Sequence, residues 1–268
     1  MPELPEVEYE RRRLQRVMAR ARIQRVVTRR AHLRYAFPPD FAQRLEGQTV
    51  RTVKRRAKYL LVELGSGDVL LMHLGMSGGF RVADGDAYDP HDHVIFELST
   101  GAVVIFNDPR RFGFMTLLRA DDIESHPALA RLGPEPLTAR FGAAALARAL
   151  GRRRTPLKIA LSDQRVIAGL GNIYVSEALY RARLSPKRRA STLVTRTGTP
   201  RPALDDLVRA IKDVLRAAIR NQYRTRATDP FLVYDREGER CLRRGCGGTI
   251  TRIVQGGRST FYCPVCQR

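Results

Sequence analysis

A chain of 268 residues has room for two modest domains, or one with accessories, and its 43% hydrophobic content is enough for a packed core. Lys and Arg number 48 against 27 Asp and Glu, a net charge of +21, which points to a polyanionic partner such as nucleic acid. No apolar run approaches the roughly 18 residues that a membrane span needs, and the start is acidic then basic, unlike a signal peptide. The expectation is a soluble cytoplasmic protein with no membrane partner.

The opening MPELPEVEYERRR reads as a helix over 3–21, with Pro5 in the first turn and Leu4, Val7, Leu14, Val17, Met18 and Ala21 as one apolar stripe. Removal of Met1, which a small following residue permits, would leave Pro2 as a secondary amine at the terminus. From residue 22 to about 118 the pattern changes to short β-rich runs about ten residues apart: IQRVVT, YLLVEL, VLLMHL, HVIFEL, AVVIFN and FGFMTLL. That spacing predicts a sandwich or barrel. LGPEPL (132–137) is a stiff linker. Helical periodicity then returns in AAALARAL, PLKIALSDQ, IYVSEALYRARL and LDDLVRAIKDVLRAAI, and from Val233 the pattern is a hairpin carrying cysteines. The expected organisation is a multidomain α+β chain with a β-rich domain over 1–132, a helical domain over 138–232 and a small metal module over 233–268.

All four cysteines fall in the last 28 residues: Cys241, Cys246, Cys263 and Cys266, with gaps of four, sixteen and two residues. A disulfide scaffold would spread them. Four thiolates so placed can close one tetrahedral zinc site with no open position, which makes the zinc structural. A tail this short has little core of its own, and metal binding supplies the folding energy it lacks.

In a basic protein several short stretches read as nucleic-acid contacts. MHLGMSGGF (72–80) puts Met76 on a glycine-rich turn, where it can wedge into a base stack or pack in the core. NDPRRFGF (107–114) offers Phe112 for stacking and Arg110 or Arg111 for bases or backbone. In DPHDH (89–93), two histidines on one strand without a third ligand make a poor metal pair, so His91 is expected near a phosphate. RRRTPLK (152–158) supplies Arg153 and Lys158 as a phosphate clamp. In AGLGNIYVSEAL (168–179), Asn172 follows glycines at a helix entrance, either as a donor to a ligand or as an ordinary cap. Arg258, beside glycines in GGRSTF, can enter a groove or touch a phosphate.

PELPEVE, RRAKYLL, HLGMSG, NDPRRFG, DQRVIAGLGNIYVSEAL and GGRSTFYCPVCQ together resemble the formamidopyrimidine-DNA glycosylase family, in the family's order and nearly end to end. The resemblance implies a β-sandwich with flanking helices, a helix–two-turn–helix domain and a C-terminal zinc-finger hairpin. It implies a monomeric, bifunctional DNA glycosylase/AP lyase of base excision repair, acting on double-stranded DNA that contains oxidised purines or abasic sites. By resemblance, Pro2 is the nucleophile at C1′ and Glu3 the acid/base at the sugar, while Glu6 helps shape the pocket. Lys58 is the proton donor for β-elimination and Arg258 assists δ-elimination, as an electrostatic stabiliser given its high pKa. His91, Arg110, Arg153, Lys158 and Asn172 become DNA contacts, and Met76, Arg111 and Phe112 fill the gap left by a flipped nucleotide.

Two departures stand out. The first cysteine pair is spaced by four residues rather than the commoner two. RNQYRTRATDPFLVYDREGE (220–239) is shorter than the family's glycine-rich lesion-covering segment and places Arg224, Thr225 and Arg226 there. The alternatives are therefore the same lyase chemistry with a preference for abasic sites or oxidised pyrimidines, or a lesion-binding protein without catalysis. Intact Pro2, Glu3 and Lys58 argue against the last.

Overall fold

A computed structural model describes residues 2–83, 88–221 and 231–268. Arg224, Thr225 and Arg226 lie outside the described residues, as does Met1. The chain forms two compact units, 1–130 and 131–268.

In the first unit, helix α1 (Leu4–Met18) is followed by strand β1 (Ile23–Thr28), a short helix α2 (Phe41–Leu45), and strands β2 (Val50–Arg56), β3 (Tyr59–Leu64), β4 (Asp68–His73), β5 (Gly79–Ala83), β6 (Asp92–Leu98), β7 (Val103–Asn107) and β8 (Phe114–Arg119). The strands form two antiparallel four-stranded sheets, ordered β1-β6-β7-β5 and β2-β3-β4-β8. Alternate residues of both sheets enter one core: Leu60, Val62 and Leu64 on β3, Leu70 and Met72 on β4, Val94, Phe96 and Leu98 on β6, Val104 and Phe106 on β7. This is period-2 burial, and it makes the unit a sandwich.

The opening helix is shorter than the 3–21 expected. It ends where Ala19 turns extended and Arg20 takes a left-handed φ of 69°, which delivers the buried Ile23 to β1. Its stripe of Leu4, Val7, Leu14 and Met18 is essentially inaccessible to solvent. Its flank closes the edge of a sheet, because β2 has a neighbour on one side only. The Val53 N–H donates to Gln15 Oε1 at 2.6 Å, and Arg11 Nη1 donates to the Val53 carbonyl at 3.4 Å. One helix thus satisfies both backbone groups that Val53 leaves open on this edge.

The second unit holds α3 (Ala143–Leu150), α4 (Leu157–Ser162), α5 (Asn172–Arg181), α6 (Pro202–Asn221) and a hairpin of β9 (Thr251–Gln255) and β10 (Arg258–Tyr262). α6 buries Leu204, Leu207, Ile211, Val214 and Leu215 along one stripe. α5 is buried along most of its length, from Tyr174 to Tyr180, and packs against α4, α6 and β10. The turn between α4 and α5 is braced by one carboxamide: Gln164 donates to the Leu170 carbonyl at 2.6 Å and accepts from the Gly169 N–H at 2.8 Å. Gly169 has φ +85° there, and Gly171, not Asn172, caps α5. The hairpin is shorter than the run expected from Val233, since residues 233–250 are turns and bridges.

Replacing Gln15 with Ala leaves the Val53 N–H buried without its acceptor. Chemical denaturation should show a loss of about 1–3 kcal/mol, and an unchanged midpoint would show that the edge is not sealed this way.

Candidate active site and metal centre

At the chain start, Pro2 is half-buried and Glu3 is only 2% exposed. Glu3 is the N-cap residue of α1, and its N–H donates to Glu6 Oε2 at 2.8 Å. A carboxylate in that first turn also meets the positive end of the helix dipole.

Lys58 lies in the two-residue turn between β2 and β3 and is buried at 7% exposure. Ala57, its partner in the turn, has φ +53°. On the next residue pair, Tyr59 faces His73, which faces Phe114 across three strands. The His73 ring stacks on Phe114 at 5.7 Å and sits 4.9 Å from Tyr59. Burial lowers the His73 pKa to about 4, helped by the charges of Lys58 and Arg34. His73 is thus a neutral imidazole in a positive field beside Lys58. The sequence reading passed over it because a strand histidine shows nothing of what surrounds it.

Two loops at the same end of this unit are locked together by Asp108, which is fully buried. Its carboxylate accepts from Ser77 Oγ at 2.6 Å and from the Gly113 N–H at 2.8 Å. The backbones approach so closely that a Cβ on Gly75, at φ +66°, would stand 2.3 Å from Gly113 N. The loops turn their large side chains outward: Met76 is 38% exposed and Phe112 43%, so neither serves as core. The Arg110 guanidinium lies over the Phe112 ring at 4.7 Å, and Arg111 is exposed with φ +53°. His91 is exposed too, and its carbonyl accepts from the Asp108 N–H at 3.0 Å.

In the second unit, Lys158, Asn172 and Arg258 meet at the hairpin. Gly256 and Gly257, with φ +57° and +71°, form its tight turn. Arg258 follows, exposed, as the first residue of β10. Asn172 Nδ2 donates to the Ser259 carbonyl at 2.8 Å, and Lys158 Nζ lies 3.5 Å from the Gln255 carbonyl. Lys158 is buried at 1% exposure rather than displayed on the surface. Arg153, its expected companion, pairs with Asp163 at 2.9 Å and donates to the Ala149 carbonyl. Its hydrogen bonds and those of Arg165 hold the Asp163 carboxyl at about 2.

Beyond the hairpin the sulfur atoms of Cys241, Cys246, Cys263 and Cys266 all lie within 4.8 Å of one another. Four soft thiolate donors at that separation fit one zinc ion in a closed tetrahedral shell. The Tyr180 hydroxyl, from the end of α5, is 3.2 Å from Cys241 Sγ. Burial works to raise the Cys241 pKa, but hydrogen bonds from Tyr180, from the Arg243 backbone and from the neighbouring cysteines together bring the thiol down to about 7. Arg243 donates to the Tyr180 carbonyl at 2.6 Å and stacks over its ring at 4.8 Å. Glu177, also on α5 and buried, accepts from the N–H groups of Leu232, Val233 and Tyr234 at 3.0, 2.9 and 2.9 Å.

Known proteins share this arrangement. Residues 1–115 match the model of the formamidopyrimidine-DNA glycosylase N-terminal domain, 132–229 that of the same family's H2TH domain, and 238–268 a zinc finger found in FPG and IleRS. A protein of Rhodopseudomonas palustris (strain BisB18) named formamidopyrimidine-DNA glycosylase is 56% identical, and one of Bradyrhizobium sp. (strain ORS 278) with the same name is 55% identical. Both alignments cover all of both chains. Among solved structures, the Lactococcus lactis enzyme bound non-covalently to DNA containing an AP site superposes with a TM-score of 0.89 at 31% identity, covering 99% of each chain. The same enzyme with DNA containing N7-benzyl-Fapy-dG gives 0.89 at 31% identity over 100% of each.

Two outcomes test this geometry. Tyr180→Phe removes one hydroxyl from the thiolate shell, and a chromogenic chelator should then strip zinc about 10-fold faster or more; an unchanged rate would show that the hydroxyl does not support the metal. His73 has a folded-state pKa below its usual value of about 6.5, so the unfolded chain takes up the proton first. Its contribution to stability is full above pH about 6.5 and declines as the pH falls towards about 4. Denaturation midpoints followed across that window should fall less steeply for His73→Gln than for the wild type.

Proposed function

The chain belongs to the formamidopyrimidine-DNA glycosylase family, and from that premise we propose that it is a bifunctional DNA glycosylase/AP lyase of base excision repair that removes oxidised purines. The observation that carries this reading is the chain start. Pro2, whose nitrogen becomes a secondary amine once Met1 is removed, stands beside a buried carboxylate that caps a helix docked against the strand whose turn bears Lys58.

In the proposed reaction the Pro2 nitrogen, once Met1 is gone, donates its electron pair to C1′ of the damaged nucleoside. The bond from C1′ to the base breaks, and the base leaves with the electrons of that broken bond and takes up a proton. An α-amino group titrates near pH 8, so part of it is neutral and nucleophilic at physiological pH. Glu3 serves the sugar as acid/base while the ring opens. The secondary amine gives a cationic iminium, which draws electrons from the C2′–H bond. Loss of the 2′ proton expels the 3′ phosphate, assisted by Lys58 as proton donor. Arg258 stabilises the charge of the second, 5′ elimination. Such chemistry at C1′ requires the nucleotide to leave the stack. Met76, Arg111 and Phe112, exposed on the two loops tied by Asp108, fill the vacated space. Arg110, Arg153, Lys158, Asn172 and His91 hold the DNA. The four cysteines hold one structural zinc ion, whose binding stabilises the hairpin that carries Arg258. The partner is double-stranded DNA with damaged bases or abasic sites, met by a monomer in the bacterial cytoplasm.

Borohydride should trap a covalent adduct between abasic-site DNA and protein that mass spectrometry shows to begin at Pro2. Protein that keeps Met1 should bind the same DNA without an adduct. Absence of an adduct from the Pro2 form, with DNA binding intact, would leave a lesion-binding protein without lyase activity. All arms are run at one salt concentration, because phosphate contacts make affinity strongly salt-dependent.

A further inference from the structure

Arg55 is the last but one residue of β2, and its side chain is only 11% exposed. Its Nε donates to Glu8 Oε2 at 3.1 Å, and its Nη1 donates to the Ala57 carbonyl at 3.0 Å. Glu8 lies in α1, in the second turn after the capped chain start, and is 9% exposed. Its carboxylate also accepts from Arg12 Nε at 2.8 Å and from Arg11 at 3.0–3.1 Å. Burial works to raise the Glu8 pKa, but the hydrogen bonds from Arg11 and Arg12 and the charges of Arg11 and Arg55 hold it below the usual range. The acceptor is therefore a carboxylate at neutral pH.

The second acceptor is as specific. The Ala57 carbonyl belongs to the peptide that joins Ala57 to Lys58. Ala57 holds a left-handed φ of +53°, a conformation that is unfavourable for a non-glycine residue and persists only when its surroundings fix it. That peptide ends at the Lys58 nitrogen, so a bond to its carbonyl fixes the chain at the root of the lysine. A single guanidinium thus fastens the helix that follows the amine to the turn that carries the lysine.

We propose that Arg55 is a positioning residue for the elimination step: bridging Glu8 and the Ala57 carbonyl, it fixes Lys58 relative to the helix that follows the Pro2 amine. This rests on the reading above, in which Pro2 and Lys58 act on the same sugar. The bridge needs a planar fork with two donors set apart. A lysine keeps the charge but presents one compact ammonium and cannot reproduce it.

The experiment uses the full chain starting at Pro2 on abasic-site duplex under single turnover, with the borohydride-trapped adduct and the nicked product measured separately. Arg55→Lys should form adduct to near the wild-type extent but nick about 10-fold more slowly, so the ratio of adduct to nicked strand rises. Arg55→Lys at the wild-type ratio would overturn the proposal, whatever its melting temperature. Loss of both signals in parallel would also overturn it, as a general structural role. Glu8→Gln weakens the other end of the bridge and should move the ratio in the same direction; if Arg55→Lys does not fold, this variant decides by the same criteria. Wild-type protein that forms no adduct refutes the underlying lyase reading instead, so the two failures are distinguishable.

Discussion

In the proposed reaction Pro2, once Met1 is gone, is a nucleophile at the chain's first position with nothing before it to hold it in place, and chain ends fray unless they are tied down. The remaining architecture of the first unit follows from this constraint. The residues after the amine must do the holding, and they do so as a helix from Leu4. Its apolar stripe is sealed in the sandwich core, and Gln15 and Arg11 complete the hydrogen bonding of β2 at Val53. The edge strand needs a cover and the helix needs an anchor, and the same contacts answer both. A mobile amine would lose the advantage of orientation, which is among the largest that a site can supply.

The second unit meets a related demand by other means. α5 is gripped along its length by the C-terminal segment: Asn172 bonds Ser259, Glu177 gathers three successive N–H groups, and Tyr180 reaches Cys241. The cysteine cluster shares a small apolar core with Tyr180, Val233, Ile250 and Phe261. A module with so little core of its own draws stability from its metal. Through these bonds that stability reaches the helix and the hairpin bearing Arg258.

The parts of this fold written as local patterns were legible in the sequence. Six strands were marked by apolar runs, five helices by period, and the zinc site by cysteine spacing. β2, β5 and α2 were not, because VRTVKRR offers only Val50 and Val53 to the core and the other two are five residues long. The two loops with exposed apolar tips, Met76 and Phe112, were legible because glycines, an Asp-Pro turn and large apolar tips are sequence features. Their lock, Asp108, was not, because its partners Ser77 and Gly113 come from both loops. Arg55, Glu8, His73, Glu177 and Tyr180 escaped for the same reason, each taking its meaning from a residue distant in the chain. The burial of Lys158 was not legible either: RRRTPLK shows a basic stretch, and only the fold places this lysine inside against the hairpin.

The charge imbalance takes on a sharper meaning once the carboxylates are located. Glu3, Glu8, Asp92, Asp108 and Glu177 are all buried. Their carboxylates accept hydrogen bonds from backbone N–H groups, from Ser77 and Asn107, or from arginines. In a protein this basic, acidic residues are valuable as internal acceptors, because a buried carboxylate bonded by several donors organises two or three segments at once. Placing them inside also withdraws negative charge from the faces that would meet phosphate. A sequence with a net charge of +21 thereby shows a polyanion a surface more positive than its composition implies. The same substitutions that would neutralise these acids would loosen the loops and helices that present the proposed chemistry.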